Sequence, residues 1–188
     1  MNIIDYLPPH IKDGVICVYK TGSELFCDKC DDKDYVIVCK QSYEKVYHIS
    51  ELKADCFIYS VEELEQALNS DNYRFSLAFA MALKHSDLIV YGELPTFETD
   101  VTSREYLLKA LKNEYEYGCK VYFKNDLWQR KMVWGLALYY VLVNDKFEFN
   151  EVEKMLLQKC HDGEIEKSYT NELKTGMERL LANNPYTF

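Results

Sequence analysis

The sequence predicts an α/β protein of the α+β kind: a small mixed sheet flanked by helices, followed by a helical C-terminal region. Three observations predict it. The first sixty residues hold short, β-branched apolar runs separated by turn residues, the pattern of strands. From Ser60 onward the apolar residues recur at helical spacing. Of the 188 residues, 48% are apolar, enough to build a core for one domain with a helical extension.

The elements follow in order. Residues 15–19 (VICVY) form a first strand ending at Gly22-Ser23. Asp32-Lys33-Asp34 opens a second, over 35–39, and further strands lie within 43–49 and over 56–59. Ser60 with Glu63 makes a capping box at the head of VEELEQALN, where Val61, Leu64 and Leu68 share one face. FSLAFAMALKHS reads as a second, largely buried helix, and DLIVYG as a short strand or extended piece ending at Gly92. A proline-containing loop, ELPTFETDV, precedes a helix that Ser103 starts and Gly118 caps. Residues 127–143 form a long apolar helix, with Gln129, Arg130 and Lys131 keeping it out of the membrane class. Asn150 and Glu153 cap a helix to Cys160, Asp162-Gly163 breaks it, and a last helix covers 165–181. The boundary falls in the loop near 94–102, giving an α/β core over 1–98 and a helical region over 99–188 packed on it.

Charge and composition exclude several classes. Twenty-two basic against 31 acidic residues leave a net charge of −9, which argues against extended DNA binding. No stretch reaches the roughly 18 apolar residues of a membrane span. MNIIDYLPPHIKDG lacks a basic region followed by an apolar core, so no secretory signal is expected and the chain is expected in the cytoplasm. Of the seven cysteines, Cys17, Cys39 and Cys56 sit in strand-like runs, the setting of reduced, buried thiols.

One stretch carries chemistry. Side chains at i and i+2 of a strand share a face, so Asp32 and Asp34 are expected side by side. Adjacent carboxylates repel unless a cation sits between them, and a Gly-Ser backbone nearby suits phosphate oxygens. The plain alternatives are a solvated acidic turn for 31–34, a strand-edge charge for Asp55 and an ordinary turn for Gly22-Ser23. Cys27 and Cys30 have the spacing of half a zinc site, but no second pair follows, and Cys160-His161 lies far along the chain. His10, His48, His85 and His161 are scattered without a catalytic spacing. Trp128, Trp134, Tyr139 and Tyr140 recur at helical spacing, as packing residues do.

These residues resemble the nucleotidyltransferases of the DNA polymerase β superfamily. Their signature is a strand, a Gly-Ser turn, a spacer, and Asp-x-Asp at the next strand. Here it stands as Gly22-Ser23, ELFCDKCD, Asp32-Lys33-Asp34, with Asp55 in ADCFIYS as the third carboxylate. DCFIYSVEELEQALNSDNYRFSLAFAMALKHSDLIVYGE and the tail RKMVWGLALYYVLVNDKFEFNEVEKMLLQKCHDGEI look like the predicted-nucleotidyltransferase branch, so the likeness covers most of the chain. The chain departs from that pattern in a shorter spacer, in Lys33 between the two Asp, and in Gly135 and Leu138 where related chains carry His and Arg.

The resemblance implies transfer of a nucleoside monophosphate from a triphosphate, with ATP the expected one, to a hydroxyl of a small molecule, an RNA end or a protein. It implies a two-metal Mg²⁺ site at Asp32, Asp34 and Asp55, with Asp55 holding the metal nearer the acceptor hydroxyl. Gly22 would let the backbone approach the phosphates, Ser23 would offer its hydroxyl and N–H, and Lys131 would lend the triphosphate a positive charge. The alternative is a degenerate member that keeps the fold as a binding or regulatory module. A protein partner, or a homo-oligomer formed through the helical tail, stays open.

Overall fold

A computed structural model of the chain describes residues 2–30, 32–70, 76–121, 128–164 and 167–183. Among these are five strands, β1 (Val15–Thr21), β2 (Lys33–Cys39), β3 (Val46–Ile49), β4 (Ala54–Ser60) and β5 (Ile89–Gly92). Seven α-helices accompany them: α1 (Pro9–Lys12), α2 (Val61–Asn69), α3 (Ser76–Lys84), α4 (Arg104–Val121), α5 (Trp128–Asn144), α6 (Glu151–His161) and α7 (Lys167–Ala182). The architecture is mixed α and β. The chain divides into two compact units, one built from residues up to Asp100, the other from Val101 onward together with Phe26–Asp28.

The first unit holds a five-stranded sheet in the order β3-β4-β2-β1-β5. β2 and β4 run parallel, and the other neighbours are antiparallel. Central β2 is buried without a break from Tyr35 to Cys39, which explains its continuous apolar sequence. β4 instead alternates, with Ala54, Cys56, Ile58 and Ser60 buried and Asp55, Phe57 and Tyr59 half-buried. Val18, Tyr35, Ile37, Cys39, Ala54, Cys56 and Ile58 form a cluster with Ile3, Ile4, Leu7 and Ile11. The N-terminal segment, through a 3-10 turn (Ile3–Tyr6) and α1, thus covers one sheet face. Residues of opposite parity on β1 face α3, where the Tyr19 and Phe79 rings lie 5.9 Å apart, edge to face. Buried from Ser76 to Ala82, α3 has no need of a polar stripe.

Three strands extend beyond their apolar runs: β1 reaches Thr21, β2 begins at Lys33 and β4 at Ala54. Backbone ladder bonds carry the pairing past the point where side chains turn polar. The Ser60–Glu63 capping box forms as expected.

In the second unit α4 packs on α5 and α5 on α6. Leu107, Leu108, Leu111, Leu136, Leu138, Leu157 and Met177 are buried there. Gly135 lets elements approach closely: a Cβ on it would lie 3.3 Å from Met177 Sδ and 3.6 Å from Leu111 Cδ1. Asn150 caps α6 by accepting from the amides of Val152 and Glu153. Gly118 does not end α4, which runs through it to Val121. A helical glycine costs only about 1 kcal/mol, and continued hydrogen bonding offsets that. Among the described residues no helix is long and apolar enough to cross a membrane.

Candidate functional site

The polar ends of the strands meet in one row. Thr21, the last residue of β1, pairs with Asp34 of β2. Asp34 pairs with Asp55 of β4, and Asp55 with His48 of β3. Paired residues of neighbouring strands point to the same sheet face. Thr21, Asp34, Asp55 and His48 therefore line one face near one end of the sheet, on the Tyr19 side. Thr21 is 1% exposed, and its hydroxyl has no hydrogen-bond partner among the described residues.

A tight turn closes the row on the β1 side. Gly22 follows Thr21 at φ 76°, and a Cβ built on it would stand 2.0 Å from Asp34 Oδ2. Glycine is needed there twice, for the left-handed backbone and for room beside the carboxylate. Ser23 donates its hydroxyl to Cys30 Sγ at 3.2 Å. Burial pushes the Cys30 thiol pKa up, the Ser23 hydrogen bond pulls it down, and the charges of Glu24, Asp32 and Asp34 push it up again. Those carboxylates thus share one electrostatic neighbourhood. Cys56 behaves alike: burial, then the Asp55 and Asp34 charges, push its thiol up to about 12.

On the β3 side, His48 Nδ1 lies 2.7 Å from Asp55 Oδ1. A carboxylate only accepts, so Nδ1 carries the proton and donates it. The two side chains are 59% and 39% exposed, so the pair sits in water's reach. His48 shows no catalytic spacing in the sequence because its partner lies on another strand. The signal was the hairpin: Ile49 pairs with Ala54 around the 3-10 turn Ser50–Leu52 and left-handed Lys53, which places His48 opposite Asp55.

The expected site residues are brought together in part. Gly22, Asp34 and Asp55 converge, and Ser23 lies in the adjoining turn. Asp32 precedes β2 by one residue and is exposed. Lys131 falls on α5, and its side chain lies outside the described part of the structure. Among the described residues, no group of three or more His, Cys, Asp or Glu side chains is gathered to hold a metal ion.

No protein-family model, curated protein or solved structure matches this chain.

What the site can do follows from its own side chains. Two carboxylates of like charge stand side by side with a Cβ-free turn against one of them. Hard oxygen donors of this kind suit magnesium, which takes one or two carboxylates and completes its octahedron with phosphate oxygens and water. The row supplies two carboxylates, Asp34 and Asp55 in register, and the space that a Cβ on Gly22 would take is filled by the Asp34 carboxylate.

Proposed function

We propose that the sheet unit is a nucleotidyltransferase-like core that binds a nucleoside triphosphate with Mg²⁺ at the Asp34–Asp55 edge and transfers the nucleoside monophosphate to a hydroxyl acceptor. The observation that carries this is the fit of Gly22 against the Asp34 carboxylate, with Asp55 in register beside it. The superfamily's chemistry asks for that combination: a backbone turn that phosphates can approach, next to carboxylates on a strand. When bound, magnesium supplies charge stabilisation on the attacking and leaving oxygens. Asp34 and Asp55 hold the cation, and their mutual repulsion favours its entry. The Gly22–Ser23 backbone offers N–H groups to the phosphates, and the Ser23 hydroxyl exchanges Cys30 for a phosphate oxygen. Asp32 stands exposed just before β2.

The net charge of −9 favours a compact acceptor over long nucleic acid. Candidates are a small molecule, an RNA end or a protein hydroxyl.

One observation favours a second reading, in which the fold serves as a binding or regulatory module. Asp55 is already engaged by His48, and no third ligand joins the pair among the described residues. One experiment separates the two. The protein is incubated with Mg²⁺ and each α-labelled triphosphate, and pyrophosphate release and label transfer are followed. Turnover that disappears in Asp34→Asn and Asp55→Asn is expected. Turnover that persists in Asp34→Asn removes the site assignment. Nucleotide binding by calorimetry without turnover on any acceptor tested establishes the module.

A further inference from the structure

We propose that the outer face of α6 pairs antiparallel with the same face of a second copy of this chain, about a two-fold axis at Met155. The inference concerns the helical unit and is independent of the chemistry proposed for the sheet edge.

The helix itself sets the face. Leu157 is 0% and Cys160 8% exposed, and they mark the side of α6 that is packed within the unit, where α5 is its neighbour. Met155 and Lys159 each stand two residues from Leu157, about 200° round the helix, so both point away from that packing. Val152, three residues before Met155, lies beside it on the same side. Met155 is 54% exposed, and Val152, at 69%, is the most exposed large apolar side chain among the described residues. Glu151, Met155 and Lys159 follow at a spacing of four and form one ridge. A face turned only to water is polar at its centre, whereas this one sets methionine between a carboxylate and an ammonium, with valine alongside.

The order of the charges chooses the occupant. In an antiparallel pair about a two-fold axis, the residue four before the axis meets the residue four after it on the other copy. With the axis at Met155, Glu151 meets Lys159 of the second copy, Lys159 meets its Glu151, and the two Met155 side chains meet each other. A parallel pair would set Glu151 against Glu151. Both charges are available. Glu151 is 89% exposed and reaches Lys154 only at 3.9 Å, and Lys159 is exposed with no ion pair among the described residues. A helix of 11 residues offers a small contact, so the pairing is weak and depends on concentration.

Sedimentation equilibrium between about 10 µM and about 1 mM reads the association. Wild-type protein is expected to reach the dimer and stop there, because an isologous contact closes on itself. Met155→Glu should leave monomer throughout. Glu151→Lys and Lys159→Glu should each weaken the dimer about tenfold, since each puts two like-charge pairs across the axis. Mixed in equal amounts, these two variants should associate at near wild-type strength, because the hetero-pair restores both opposite-charge contacts. A mixture no stronger than its components overturns the antiparallel register, and a dimer indifferent to Met155→Glu overturns the face. Wild-type protein that stays monomeric over the whole range leaves the face to a partner of other chemistry and overturns the self-pairing.

A second measurement needs no variant. On dilution of wild-type protein, the amide resonances of Glu151, Val152, Met155 and Lys159 should move together with the dimer fraction. Concentration-dependent shifts confined to other residues overturn the assignment of the contact to α6.

Discussion

Gly22 and Asp34 fit together only while residue 22 lacks a side chain, because a Cβ there would lie 2.0 Å from Asp34 Oδ2. The same residue holds φ at 76°, so two independent demands fall on one position at the edge of the carboxylate row.

Gly22→Ala is therefore expected to destabilise the sheet unit by about 2 kcal/mol, from left-handed strain plus displacement of Asp34. Gly92→Ala is the control. Its φ is 67° and its added Cβ would meet the Ile16 carbonyl at 1.9 Å, at the β1–β5 pairing and away from the row. Both variants should lower the urea midpoint. When each is compared in the folded baseline, only Gly22→Ala should also weaken Mn²⁺ binding. Equal binding in the two would show that Asp34 does not depend on the turn.

Glu63 gives the sheet unit an acid-sensitive joint. Burial opposes its charge, but hydrogen bonds from Lys45, the Ser60 amide and Ser42, with the Lys45 charge, bring its pKa from the ordinary 4.5 down to about 2. A carboxylate whose folded pKa lies below its unfolded one stabilises the protein above the unfolded value and loses that contribution as pH falls through the folded one. The contribution is thus full above 4.5 and gone below about 2. The side chain is 24% exposed, so water screens part of it. Glu63→Gln should cost about 1 kcal/mol near neutral pH, the value of a helix cap, and should flatten the loss of stability between those two pH values. Urea unfolding across the acid range checks this, and an unaltered slope would contradict it.

The thiols should separate by reactivity. Burial pushes Cys17, Cys56 and Cys160 up to about 12 and Cys39 up to about 11, leaving little thiolate near neutral pH. Cys27 is 4% exposed, while Cys30 is only half-buried. Among the six described cysteines, iodoacetamide should modify Cys30 first, and more slowly than a free cysteine because its own pKa is raised. Peptide mapping after timed labelling reads the order. Cys17 or Cys39 labelling ahead of Cys30 in folded protein would contradict the packing described.

Gly176 offers a stabilising change in the helical unit. It lies inside α7, and an added Cβ meets nothing within 4 Å. Gly176→Ala should raise stability by about 1 kcal/mol through helix propensity and reduced freedom of the unfolded chain. Thermal unfolding followed by circular dichroism reads the gain, and a loss would mean that α7 is not helical at that position.

The local elements of this protein were legible in its sequence. Each of the five strands and α2 through α7 was read within a few residues of its place, and the caps at Ser60 and Asn150 were read directly. All of these depend on neighbours within a turn or two of chain. The Gly22 turn and Asp34 were legible for the same reason. The α1 segment was not, because its role is to cover a sheet face built from residues far along the chain. Strand order and register belonged to the tertiary structure. Alternation tells which face a side chain takes, but not which strand lies beside it. Parallel pairing of β2 with β4 brought Asp55 to Asp34, and the β3–β4 hairpin brought His48 to Asp55, while the start of β2 at Lys33 left Asp32 outside the ladder.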